Sequence, residues 1–146
     1  MKAVIQRVSK SKVEINGVLK SEMEEGLLAL IAVSADDNLE KIKWFANKLV
    51  NLRVFPDDQD KMNKSVTDIG GSLMLISNFT VYGDANKGFR PNFSAAASPL
   101  VAERIFNQIV DYFKKNYQIP VYEGEFGAMM DISLTNAGPV TVIVEK

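Results

Sequence analysis

Hydrophobic and polar positions along this chain switch between two periods, and the switches mark its elements. Met1-Lys2-Ala3-Val4-Ile5-Gln6-Arg7-Val8 is rich in β-formers, has no breaker, and predicts a first strand. Val13-Glu14-Ile15 and Val18-Leu19 flank Asn16-Gly17, a hairpin signal because a type I′ turn needs positive φ at both central residues. The apolar run from Gly26 to Ser34 predicts a strand buried on both faces. The period then lengthens. Leu39, Ile42, Phe45, Leu49 and Leu52 recur every three or four residues behind Asp36, Asp37 or Asn38 as a cap, which predicts a helix. Leu52 to Phe55 reads as a short strand ended by Pro56-Asp57-Asp58, and Asp60 to Gly71 as a polar loop. Ser72 to Ser77 predicts another central strand, running into Phe79 to Tyr82. A second helix starts at Ser98-Pro99 and carries a stripe of Val101, Ile105, Phe106, Ile109, Tyr112 and Phe113. Ile119 to Tyr122, Met130 to Leu134 and Val140 to Val144 complete the strands. With no repeat or linker, the pattern predicts an α/β fold: one mixed domain over residues 1–146, many strands in barrel-like or layered sheets, and two principal helices.

Composition narrows the chemistry more than the fold. A chain of 146 residues, 47% apolar and 24% charged, can bury roughly two-thirds of its unfolded surface without staples. Seventeen basic and eighteen acidic side chains leave a net charge of -1, so no global field points to nucleic acid or a membrane. The decisive figures are zeros. Without cysteine there is no disulfide, thiolate nucleophile or thiolate zinc site; without histidine, Ser-His and Cys-His mechanisms are excluded. An enzyme built from this chain works with hydroxyls, carboxylates, lysines, backbone dipoles or its own substrate. The first residues lack a signal peptide's apolar run, and Leu27 to Val33 is far short of the ~20 residues needed to cross a bilayer, so a cytosolic protein is expected.

Several motifs fail on inspection. An EF-hand counted from Asp58 puts Met62 and Asn63 where an oxygen ligand and the turn glycine belong, which leaves Asp57, Asp58 and Asp60 as a solvated turn. Gly83 and Gly88 have P-loop spacing, but Phe89 and Arg90 stand at the Lys and Ser/Thr positions. Gly70-Gly71 suits a tight turn, and the glycosylation sequons at Asn63, Asn78 and Asn92 lack a secretory signal. No metal and no cofactor are expected. Two segments survive. Ser77-Asn78-Phe79-Thr80, followed by Lys87-Gly88-Phe89-Arg90-Pro91-Asn92-Phe93, puts hydroxyls and an amide after a buried strand, where α/β sheets present binding groups. Such groups equally satisfy local backbone at a strand end. Thr135-Asn136-Ala137-Gly138-Pro139-Val140-Thr141 reads either as a strand-start turn or as a place where Gly138 admits another molecule's backbone.

On those residues the chain resembles the D-aminoacyl-tRNA deacylase (D-tyrosyl-tRNA deacylase) family, essentially end to end. The opening octapeptide, Lys61-Met62-Asn63, Gly88-Phe89-Arg90-Pro91, Gly124-Glu125-Phe126-Gly127-Ala128 and Asn136-Ala137-Gly138-Pro139-Val140-Thr141 match its characteristic stretches. Its Ser-Gln-x-Thr signature falls on Ser77, Asn78, Phe79 and Thr80, with Asn78 replacing Gln and the amide one methylene nearer the backbone. Asn92 stands where many relatives have Ser. The resemblance implies a homodimeric hydrolase that cleaves the ester between a D-amino acid and the terminal adenosine of tRNA, with no membrane or DNA partner. It implies a cis Gly138-Pro139 that reaches into the partner's site and rejects L side chains, and that glycyl-tRNA passes the same filter. It also implies substrate assistance by the 2′-hydroxyl, so the protein mainly positions the ester and offers backbone donors, assigned here to Phe79 and Thr80. Thr80 as a covalent nucleophile is the sharper alternative, but its nearest candidate base is Lys87. Ser77, Phe79 and Thr80 are thus the candidate catalytic residues; Gly138, Pro139, Asn78, Phe126 and Met130 are the candidate binding residues, with Met130 equally readable as core. Lys87 and Arg90 are expected at acceptor-end phosphates. A non-catalytic dimeric module binding an RNA end or adenosine is the alternative, and a general small-ester hydrolase a third.

Overall fold

Each hydrophobic period finds a different surface to bury. The computed structural model describes residues 1–146. Asn16 and Gly17 take φ of 52° and 74°, and the resulting turn folds β1 (Lys2–Ile15) onto β2 (Val18–Met23) with Ile15 opposite Val18. The first half of β1 pairs antiparallel with β3 (Gly26–Ala32), which lies parallel to β6 (Ser72–Ser77), itself parallel to β7 (Val121–Glu123). The far edge of β1 carries β8 (Asp131–Glu145), antiparallel along nearly its whole length. β2 curls back toward the loop after β7: Ser21 Oγ donates to Glu123 O at 3.0 Å, and Lys20 meets Glu125 at 3.3 Å. The sheet is therefore a nearly closed barrel.

Strands with two buried faces need two cores. Leu27, Ala29 and Ile31 of β3 and Leu73 and Leu75 of β6 face α1 (Leu39–Val50) and α2 (Pro99–Asn116), against Ile42, Phe45, Ile109 and Phe113. The intervening Leu28, Met74 and Ile76 point the other way, joining Val8, Val13 and Met23 inside the barrel. Burying each such side chain is worth roughly 1.5–3 kcal/mol. Gly26 is required where β3 meets β6, since a Cβ there would lie 2.0 Å from Ser72 O. Of the candidate caps, Asn38 serves: its Oδ1 accepts from Glu40 N and Lys41 N at 3.1 and 3.2 Å. Asp37 instead pairs with the Met1 α-ammonium at 2.6 Å, both groups buried. Ser98 caps α2 by position, without a side-chain hydrogen bond, and Pro99 is the first helical residue. No helix is long and apolar enough to cross a membrane.

Four expectations are corrected. Leu52 to Val54 is not a strand; only β4 (Phe55–Pro56) forms, and it pairs with β5 (Met62–Lys64) inside the segment expected to be loop. Phe79 to Tyr82 is a short 3-10 turn rather than a strand extension, because Asn78 caps it. The two segments at Met130 to Leu134 and Val140 to Val144 are halves of the single strand β8, since pairing with β1 carries the chain across the break.

Candidate active site

The site is built where β6 stops. Asn78 N donates to Ile31 O at 2.8 Å, the last rung between the two buried strands. Asn78 Oδ1 then accepts from Thr80 N at 3.2 Å and from Thr80 Oγ1 at 2.5 Å, and this double cap turns the chain into the 3-10 segment. Two consequences follow. The Thr80 hydroxyl proton is held by an amide oxygen, which is no base, and the Thr80 N–H is already spent. Of the two backbone donors expected for a developing oxyanion, Phe79 N–H is the one left to consider.

Beside this turn lies a cleft of about 600 Å³. Ser77, Asn78 and Phe79 form one wall, with Phe93 packed edge-on to Phe79 at 5.3 Å between ring centroids. Phe126 and Met130, from the segment joining β7 to β8, form another. Phe126 leans on Phe106 of α2 at 6.5 Å. Met130 Sδ accepts from Glu125 N at 3.4 Å, and Gly124 makes room for it, because a Cβ there would lie 2.5 Å from that sulfur. The lining contains no ionisable side chain. Its polar groups are a hydroxyl, an amide and main chain, in surroundings otherwise apolar. Lys87, the base that covalent attack by Thr80 needs, is exposed and outside the lining. Just beyond the turn, burial pushes the Tyr82 hydroxyl above its ordinary range, so it remains a neutral phenol.

Five of the eight predicted site residues therefore share one cleft: Ser77, Asn78, Phe79, Phe126 and Met130. Thr80 sits in the same turn but outside the lining. Gly138 and Pro139 are not brought to the cleft. They occupy a bulge in β8, where the ladder passes from Asn136 opposite Val8 to Thr141 opposite Gln6. Gly138 has φ 132° and the Gly138-Pro139 bond is cis; both residues are exposed. The bulge is clamped from both flanks. Asn136 Oδ1 accepts from Val140 N at 2.7 Å while its Nδ2 donates to Val140 O at 3.2 Å and Thr141 Oγ1 at 3.0 Å. Arg7 Nε donates to Ala137 O at 2.8 Å, and its Nη1 donates to Val54 O. Arg7 was not expected at the site. The available signal was a lone guanidinium in an otherwise β-forming, breaker-free octapeptide, where an apolar residue is the ordinary choice.

The acidic turn at Asp57 is spent locally: Gln59 N and Lys61 N both donate to Asp57 Oδ1, at 2.8 and 3.0 Å. The N–H groups of Lys61 and Gln59 hold that carboxyl below its ordinary range. No three His, Cys, Asp or Glu side chains lie close enough to share a metal ion.

A family model described as D-Tyr-tRNA(Tyr) deacylase matches residues 4–145. A D-aminoacyl-tRNA deacylase of Thermosipho africanus is 48% identical over 146 residues, spanning 100% of this chain and 97% of that protein. Another, of Natranaerobius thermophilus, is 46% identical over 146 residues with the same coverage. Among solved structures, the c-Myc DNA unwinding element binding protein superposes with a TM-score of 0.95 at 34% identity, over 100% of this chain and 99% of that one. A probable eukaryotic D-amino acid tRNA deacylase shares the fold at a TM-score of 0.81 and 14% identity, over 98% and 97% of the two chains.

Proposed function

The chain belongs to the D-Tyr-tRNA(Tyr) deacylase family, and from that premise we propose that it hydrolyses the ester linking a D-amino acid to the terminal adenosine of tRNA. One observation supports the reading above the others: Ser77, Asn78, Phe79, Phe126 and Met130 line a single uncharged cleft, with no base beside the Ser77 or Thr80 hydroxyl. Water attacks the ester carbonyl carbon, the carbon–oxygen bond to the ribose breaks, and the ribose oxygen leaves as a hydroxyl. Aminoacyl esters are activated, and the neighbouring 2′-hydroxyl of the ribose assists, so a side-chain base is dispensable. The protein contributes positioning, worth several kcal/mol, and a main-chain donor at Phe79 toward the developing oxyanion.

Selection against L substrates falls to Gly138 and Pro139. On one chain they stand away from the cleft, so the complete site needs the bulge of a second copy; the working form is a homodimer acting in the cytoplasm, each chain one unit over residues 1–146. Glycyl esters, with no side chain to reject, pass the same filter. The test is direct. Purified protein is expected to hydrolyse D-tyrosyl-tRNA and spare L-tyrosyl-tRNA, and light scattering to give twice 16.2 kDa. Tight binding of the acceptor end without hydrolysis would favour a non-catalytic module. Equal turnover of simple esters lacking adenosine would favour a general esterase.

A further inference from the structure

Phe89 is the most exposed of the large apolar side chains, at 108% of its reference area. It gains nothing from the fold, yet the segment carrying it is built. Asp84 and Asn92 exchange backbone hydrogen bonds of 2.8 Å each, closing the base of a loop. Asp84 Oδ1 accepts from Asn86 N and Nδ2 at 2.9 and 2.7 Å, and Asn92 Oδ1 from Ser94 N at 2.9 Å. Gly88 turns the tip at φ 70°, with nothing within 4 Å of where its Cβ would be. Phe79 and Phe93, which precede and follow the loop, both line the cleft. At the tip, Lys87 and Arg90 flank Phe89, are exposed, and enter no ion pair. The one carboxylate of the loop, Asp84, sits at the base and is occupied by Asn86.

We propose that this finger grips the unpaired 3′ strand of the substrate RNA upstream of the terminal adenosine, Phe89 stacking on a base while Lys87 and Arg90 meet the flanking phosphates; the inference rests on the function proposed above. A protein partner would be expected to cover a wider apolar patch. A single ring between two unpaired cations instead matches how single strands are held, by a π-face for the base and cations for the backbone. Recognition is indifferent to base identity, and the finger supplies affinity for RNA without touching the ester.

Two substrates separate the roles: D-tyrosyl-tRNA, and the minimal ester D-tyrosyl-adenosine, which ends before the finger. Phe89→Ala is expected to raise KM for the tRNA about 5- to 100-fold, with kcat and minimal-ester hydrolysis retained and Phe89→Trp restoring KM. Replacing Lys87 and Arg90 together by Ala is expected to flatten the slope of log affinity against log salt by about 1.4. Equal losses on both substrates, no change on either, or a change of oligomeric mass in Phe89→Ala would overturn the proposal. If the wild type hydrolyses neither substrate, the functional reading falls. Binding of an RNA minihelix with an unpaired ACCA end then decides the finger alone: weaker binding by Phe89→Ala upholds it, and unchanged binding ends it.

Discussion

The chain makes two excursions from its regular elements, and they are built on opposite principles. The bulge at Ala137 to Val140 is fastened on both flanks, by Asn136 to the peptide of Val140 and by Arg7 to Ala137 O. The finger from Asp84 to Asn92 is fastened only at its base, and its tip presents a bare ring and two free cations. In the proposed function the first has to hold main-chain atoms to a fraction of an ångström, while the second has only to catch a flexible strand. Directional hydrogen bonds suit the first task, since a displacement of about 1 Å near reacting groups costs on the order of a hundredfold in rate. Stacking and charge suit the second, because both tolerate variation in geometry.

Breaking the bulge should have the largest effect. In Gly138→Ala the new Cβ would lie 2.6 Å from an Arg7 guanidinium nitrogen and 2.9 Å from Val140 Cγ2, at a φ that L side chains rarely adopt. Single-turnover hydrolysis of D-tyrosyl-tRNA is expected to fall at least about a hundredfold; a loss under threefold would remove the contrast between the two excursions. Arg7→Ala comes next. It leaves the Ala137 and Val54 carbonyls without their donor, an expected destabilisation of about 1–3 kcal/mol in urea titration. Discrimination between D- and L-tyrosyl-tRNA should weaken as well, and Arg7→Lys should not restore it, because an ammonium lacks the planar fork.

The turn that precedes the finger gives a smaller change. Thr80→Ala removes a hydroxyl whose proton is held by Asn78 Oδ1, so kcat should drop by less than about a thousandfold, with no covalent intermediate trapped. A larger loss would restore Thr80 as a nucleophile. Asp84→Ala should be mildest. It deletes the acceptor for Asn86 at the foot of the finger, and KM for tRNA is expected to rise about two- to fivefold, with an unchanged melting temperature.

Elements whose signals are local were legible from the residues. The Asn16-Gly17 hairpin follows from two positive φ angles, the helices from their period and caps, and β3 and β6 from unbroken apolar runs. Elements that exist through a partner were not. β5 has no apolar pattern of its own, with Met62 and Asn63 exposed, and it forms because Phe55 and Pro56 lie opposite. The continuity of β8 across Gly138-Pro139 depends on β1 running beside it from Lys2 to Glu14. Site residues divide in the same way. Ser77 to Thr80 stand at the end of a readable strand, whereas Arg7 acts 130 positions away, on Ala137.

The amino-acid sequence alone settled which periods the chain can bury, that no imidazole or thiol takes part in its chemistry, and, through its motif set, its family. The tertiary structure decided that Phe126 and Met130 close the same cleft as Ser77, that Asn78 occupies the Thr80 hydroxyl, and that the Gly138-Pro139 bulge stands clear of that cleft. The division has a physical cause. Periodicity, caps and turn φ angles are energies of neighbouring residues, while pairing register and cleft shape arise from contacts between segments the chain brings together only after loop-closure entropy has been overcome.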